Sequence, residues 1–260
     1  MLLSSVILIL REVLEAAVLV SVLLALSRSL GQGLRWVWWS LPLALVGSLW
    51  FASSMDTLTD ALDGAGQEVA NAALQVLVFV CTVVVVFIEG VWSPRLGLMM
   101  RLVMACAVSL ALIREGSEIW IYVSGFAAVP DLRAAVLTGS SMGAGIGISL
   151  GVLLYSSLRA LPVAWQRPAC LALLALIGAG MVMQASMLLE QVDWLEAGEA
   201  LWDSAALVSE GSISGELLYA VFGYEATPSP VQGALYMASL VAMVTAYYSS
   251  RFLRKRLNEQ

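Results

Sequence analysis

The sequence predicts an all-α integral membrane protein with seven transmembrane helices, and three observations carry that prediction. Hydrophobic residues make up 60 % of the 260 residues and charged residues only 12 %, against about 45–50 % and about 25 % in soluble domains. Mean hydropathy is +0.89. Seven apolar stretches approach the roughly 20 residues that a helix needs to cross a bilayer, which leaves no length for a separate soluble catalytic domain. Helices are expected because each backbone polar group in lipid has to be paired within its own segment.

The stretches run 4–26, 36–55, 70–88, 102–126, 134–158, 169–189 and 231–248. The first carries Arg11, Glu12 and Glu15 and lacks a basic leading region, so it reads as a retained span rather than a cleaved leader. The second opens on Trp36, Trp38 and Trp39, and the seventh closes on Tyr247 and Tyr248; such aromatic residues mark membrane interfaces. The fourth carries Arg114, Glu115 and Glu118, and the other five have no charged residue. The whole chain, 1–260, reads as one polytopic domain. Its parts are a three-helix unit (1–95), a second such unit (96–192), an acidic outer loop with an interfacial helix (193–230), and a seventh span with a basic tail (231–260).

Orientation follows from the basic residues. Arg28, Arg35, Arg95, Arg101, Arg159, Arg167, Arg251, Arg254, Lys255 and Arg256 all fall on one side of the seven spans, and only Arg133 on the other. The excess of basic residues in cytoplasmic loops predicts an outer N-terminus and a cytoplasmic C-terminus. Acidic residues concentrate opposite, in 56–68, at Asp131 and in 190–225. A formal net charge of −6 argues against nucleic acid as a partner.

The first six spans read as two copies of three. Arg11–Glu12 recurs as Arg114–Glu115. Small residues at every fourth position of span two (Ser40, Ala44, Ser48, Ala52) recur in span five as Gly139, Gly143, Gly147 and Gly151. Glu89 and Glu190 close spans three and six. Three spans per copy turn the second copy upside down, an arrangement common in transporters, with the substrate held near mid-membrane. The glycine ridge is expected to pack helices closely and offers a surface for a homo-oligomer.

Charges inside spans one and four carry the chemistry. Residues three and four apart share a helix face, so Arg11, Glu12 and Glu15 project together, as do Arg114, Glu115 and Glu118. A charge at the bilayer centre costs at least about 2.5–3.5 kcal/mol, which requires these groups to meet one another, water or an ion. Four glutamates against two arginines leave a surplus of negative charge, which calls for protons or a metal cation. Carboxylates without histidine or cysteine suit hard cations. With no histidine in the chain, Ser-His hydrolase chemistry and His-ligated zinc are excluded, and Cys81, Cys106 and Cys170 in apolar stretches suggest no disulfide framework.

Two Arg-Glu-x-x-Glu motifs, in the first and fourth of seven spans, resemble the high-affinity iron permease family of fungal oxidase-coupled permeases and bacterial EfeU-like proteins. The family pattern is commonly Arg-Glu-Gly-Leu-Glu; here Val13 replaces the glycine of the first motif, and Ser117 follows Gly116 in the second. The resemblance implies a permease importing iron, Fe(III) foremost, in a bacterial inner membrane. Glu12, Glu15, Glu115 and Glu118 would handle the metal, supported by Arg11 and Arg114. It further implies no permanently bound cofactor and an oxidase or iron-binding donor as partner. A carrier of another metal (Fe(II) or lead), or a proton-coupled cation transporter using the same carboxylates, is the alternative. No Gly-x-x-x-x-Gly-Lys stretch provides for ATP.

Weaker candidates remain. Asp193, Glu196, Glu199 and Asp203 have the spacing of an acidic stripe on an outer-loop helix, either a cation funnel or a solvated face. Glu89 and Glu190 are pathway candidates, with capping as the plainer role. Met181, Met183 and Met187 read as packing.

Overall fold

The computed structural model describes residues 1–259. Among them it contains nine α-helices and no strand: α1 (Leu2–Ser29), α2 (Val37–Ser53), α3 (Met55–Ala61), α4 (Gly66–Gly90), α5 (Gly97–Ala127), α6 (Pro130–Ala160), α7 (Val163–Gln191), α8 (Ile213–Phe222) and α9 (Pro230–Asn258). Each apolar stretch of the sequence lies within one long helix, except 36–55. There the helix breaks at Ser54, and α3 continues bent by 51° from α2. Five helices are long and apolar enough to cross a membrane, α4, α5, α6, α7 and α9, and the bent α2–α3 pair makes a sixth. The remaining long helix, α1, carries the charged motif and is sunk into the bundle, with Leu19, Val22, Leu23 and Leu26 fully buried. The fold is an all-α, multi-spanning membrane bundle.

Close pairing of α1 with α6 is the tightest feature. A Cβ at Gly139 would lie 2.7 Å from the Leu2 carbonyl, one at Gly143 2.5 Å from the Val6 carbonyl, and one at Gly147 2.8 Å from Val13. The fourth glycine, Gly151, accepts a 2.7 Å hydrogen bond at its carbonyl from Ser21. The ridge is therefore spent inside the chain, and the expected homo-oligomer contact through it is corrected: α1 covers that face. Along α2 the corresponding small stripe packs on α5, where Ser48 donates to the Leu112 carbonyl at 3.0 Å and Ser109 to the Ser40 carbonyl at 3.3 Å.

Two other expectations change. Trp36 is buried rather than interfacial, and its indole donates to Ser27 at 3.2 Å; Trp38 and Trp39 are exposed. No helix runs through 193–203. Asp193 turns into the left-handed region at φ 57 and ends α7. The backbone donors of Leu201 and Ser204 then pair with Pro228 and Ala226, both at 2.9 Å, instead of with a preceding turn. The helix of this loop is α8. Ser212 caps its start, accepting from Gly215 N at 3.0 Å, and left-handed Gly223 (φ 65) ends it. Gly223 lies against Gly180 of α7 so closely that a Cβ on either would strike the other's backbone. That contact fixes α8 over the charged part of α1.

Candidate metal centre

Helix packing sets the phase of both charged motifs. Val13 sits against Gly147, which turns Glu12 and Glu15 toward α5. Gly116 sits against Ser48 of α2, which turns Arg114, Glu115 and Glu118 toward α1. The departure of the first motif from glycine has its explanation here. The middle position faces a partner helix in each case, and valine fits where that partner offers a glycine.

The two motifs meet. Arg114 Nη1 lies 2.9 Å from Glu15 Oε2 and 2.6 Å from Glu115 Oε1, and its Nε is 3.5 Å from Glu118 Oε1. Arg11 pairs with Glu12 at 2.9 Å and reaches Glu15 at 4.0 Å. One carboxylate oxygen from each of Glu12, Glu115 and Glu118 falls within 4.8 Å of the others, a spacing that one ion can bridge. Glu15 belongs to this group through Arg114 rather than through that triplet. Glu12, Glu15 and Glu115 are buried, and Glu12 Oε2, Glu15 Oε1 and Glu115 Oε2 have no hydrogen-bond partner among the described residues. Buried acceptors without partners are costly; a cation bridging the triplet would satisfy those of Glu12 and Glu115. Four carboxylates face two arginines here, a composition consistent with a cation-binding site.

The arginines differ. Arg114 is buried among three carboxylates. Arg11 is partly exposed and lies over the Tyr219 ring of α8, 5.6 Å from its centroid. It borders a polar cavity of about 300 Å³ lined also by Met187, Glu210, Glu216, Tyr219 and Glu225. A larger cleft of about 470 Å³ opens between α1, α2, α5 and α6, apolar apart from Glu12, Glu115, Ser21 and Tyr155. A hydrated cation is expected to approach through the polar cavity, because the apolar cleft cannot replace its water.

The acids of that cavity escaped the sequence reading, which saw only an acidic loop; their convergence depends on α8. Asp193, Glu196, Glu199 and Asp203 instead lie exposed on irregular backbone and share no helix face. Glu190 spends both oxygens on α9, accepting from Ser229 Oγ at 2.5 Å and Gln232 Nε2 at 2.6 Å, which accounts for its position as an anchor of the α9 capping box. Glu89 is buried at the end of α4, with one oxygen unpartnered among the described residues. Asn71, also missed, donates to Glu118 Oε1 at 3.2 Å. An uncharged amide in an apolar span gives little sequence signal.

Glu225 sets a pH dependence. Burial, followed by its contact with Glu210, pushes its carboxyl up to about 7. The cavity therefore gains negative charge as pH rises through 7. Cation uptake from a citrate-buffered supply should rise about two- to fivefold between pH 6 and 8, and Glu225→Gln should flatten that rise. An unchanged profile in the variant would remove Glu225 from the approach route.

Comparison with known proteins gives a consistent result. The profile of the family described as "Iron permease FTR1 family" matches residues 2–253. Proteins named "Ferrous iron permease EfeU" from Escherichia coli O6:K15:H31 (strain 536) and Shigella sonnei (strain Ss046) are 25 % identical over 260 residues, covering 92 % of this chain and of each relative. The protein of that name from Escherichia coli O6:H1 (strain CFT073) is 26 % identical over 261 residues at the same coverage. No solved structure matches.

Proposed function

This chain belongs to the iron permease FTR1 family, transporters rather than enzymes, and is a multi-pass membrane protein whose EfeU relatives are bacterial, and we propose that it imports iron through the carboxylate cluster between α1 and α5. The single observation that carries the reading is the triplet of Glu12, Glu115 and Glu118 oxygens within 4.8 Å, the first two residues buried and the third partly buried, in a site where carboxylates outnumber arginines. Glu15 is the fourth member, held toward the site by Arg114. Iron passes as substrate, and no resident cofactor is needed.

The helix pairings support an inverted repeat of α1, α2 and α4 against α5, α6 and α7. The α1–α6 contact has its counterpart in α5–α2, the α4–α5 contact in α7–α1, and the α1–α5 and α4–α7 pairs map onto themselves. Glu89 and Glu190 are each the penultimate residue of their helix. With α1 and the α2–α3 pair each crossing once, the chain has seven spans. The distribution of basic residues then puts the N-terminus outside, the C-terminus in the cytoplasm and the acidic cavity on the outer face.

An oxygen-only ligand set supports Fe(III), delivered by an outer oxidase or an iron-binding donor. The name of the relatives, ferrous iron permease, supports Fe(II) as the second reading. Proteoliposomes with the cavity side outward should accumulate radioactive iron under an inside-negative potential. Supplying ferric citrate in one arm and ascorbate-reduced iron in the other identifies the ion. No accumulation in either arm, with the protein correctly inserted, would overturn the reading.

A further inference from the structure

One face of α4 is polar along almost its whole length. Asn71, Gln75, Thr82 and Glu89 are separated by four, seven and seven residues, which returns each to the same side of a helix with 3.6 residues per turn. All four are buried, at 4 %, 1 %, 0 % and 4 % exposure. At 1.5 Å per residue they span about 27 Å, close to the roughly 30 Å of a hydrocarbon core. Asn71 touches the carboxylate cluster through Glu118. Gln75 donates to Gln184 Oε1 of α7 at 2.6 Å. Thr82 faces Gly178 of α7 and Met243 of α9.

The orphaned atoms on this face are all oxygens. Asn71 Oδ1, Gln75 Oε1 and Glu89 Oε2 have no hydrogen-bond partner among the described residues. A stripe that merely knitted α4 to α7 would pair its acceptors with donors. It would also have no use for a buried carboxylate at its far end, and no ion pair found among the described residues involves Glu89.

We propose that this face of α4 is the inner half of the translocation path and that Glu89 is the release site at the cytoplasmic end. The inference rests on the iron-import reading of the carboxylate cluster. An ion leaving the Glu12–Glu115–Glu118 triplet passes along the oxygens of Asn71, Gln75 and Thr82 to Glu89. Neutral oxygens replace part of its hydration shell without trapping it, the balance that conduction requires. One carboxylate at the end draws the ion on and holds it less tightly than three. Val78, Val85 and Met243, all buried, close the path in the conformation described, so α4, α7 and α9 have to separate slightly for release.

The test uses the full-length protein. Glu89→Gln should lower iron uptake about tenfold, the scale of one charge-assisted contact, while iron binding to the solubilised protein stays within about twofold of wild type on the same scale. Thr82→Cys, in a chain with Cys81, Cys106 and Cys170 replaced by alanine, should react with a hydrophilic thiosulfonate applied from the cytoplasmic side, and iron should slow that reaction. Val80→Cys, on the exposed face of α4, should stay inert. Wild-type uptake by Glu89→Gln, loss of binding together with uptake, or a Thr82→Cys thiol as inert as Val80→Cys would each overturn the path. Failure of the cluster reading shows separately, as wild-type uptake by Glu115→Gln.

Discussion

Replacing Glu115 with glutamine should reduce iron uptake by roughly 10- to 100-fold and leave the bundle folded. The glutamine keeps the size of the side chain and can still accept from Arg114 Nη1, now 2.6 Å from Glu115 Oε1. What it loses is a charge that a buried cation would feel directly. Contacts of that kind are worth about 1.5–3 kcal/mol, and each 1.4 kcal/mol is tenfold. Glu12→Gln and Glu118→Gln should behave alike, because all three oxygens share one 4.8 Å sphere of contact. Removing surplus negative charge relieves repulsion, so thermal stability should hold or rise. Uptake in proteoliposomes and unfolding in detergent separate the two effects. Near-normal uptake by all three variants would end the metal assignment.

Arg114→Ala should have the opposite signature, a loss of stability before any question of transport. Arg114 is buried and faces Glu15, Glu115 and Glu118 at once. Its removal leaves those carboxylates confronting one another in low dielectric, and breaking a buried pair costs about 3–5 kcal/mol. A large fall in unfolding temperature and in the yield of monodisperse protein is expected. Arg114→Lys should fold and still transport poorly, because a point charge cannot reproduce a planar fork that spans two helices. Arg11→Ala is the comparison: that side chain is partly exposed beside Tyr219, so its loss should cost much less stability. Equal unfolding temperatures for Arg114→Ala and wild type would contradict the packing described.

The extent to which the sequence reveals this arrangement follows from the physics of each part. Charges in apolar spans are expensive, so Glu12, Glu15, Glu115 and Glu118 stand out, and their convergence follows from helical spacing once α1 packs on α5. The long helices are legible because composition and length dictate them. What escaped depends on relative rotation. Nothing in the sequence says that Gly147 seats Val13, or that Glu15 is held by Arg114 of another helix. The acidic spacing at 193–203 misled because exposed acids need no helix, and the backbone there pairs with 226–228 instead. Asn71 and Gln75 were hidden by neutrality, although their phase with Thr82 and Glu89 can be computed from position alone.

The apolar cleft between α1, α2, α5 and α6 has Glu12 and Glu115 in its wall. Acyl tails filling such a space would insulate one side of the proposed ion site. On the proposed function, the membrane is then a component of the binding chemistry. Affinities measured in micelles should shift with the length and branching of the detergent tail, and nanodiscs of native-like lipid are the proper reference state.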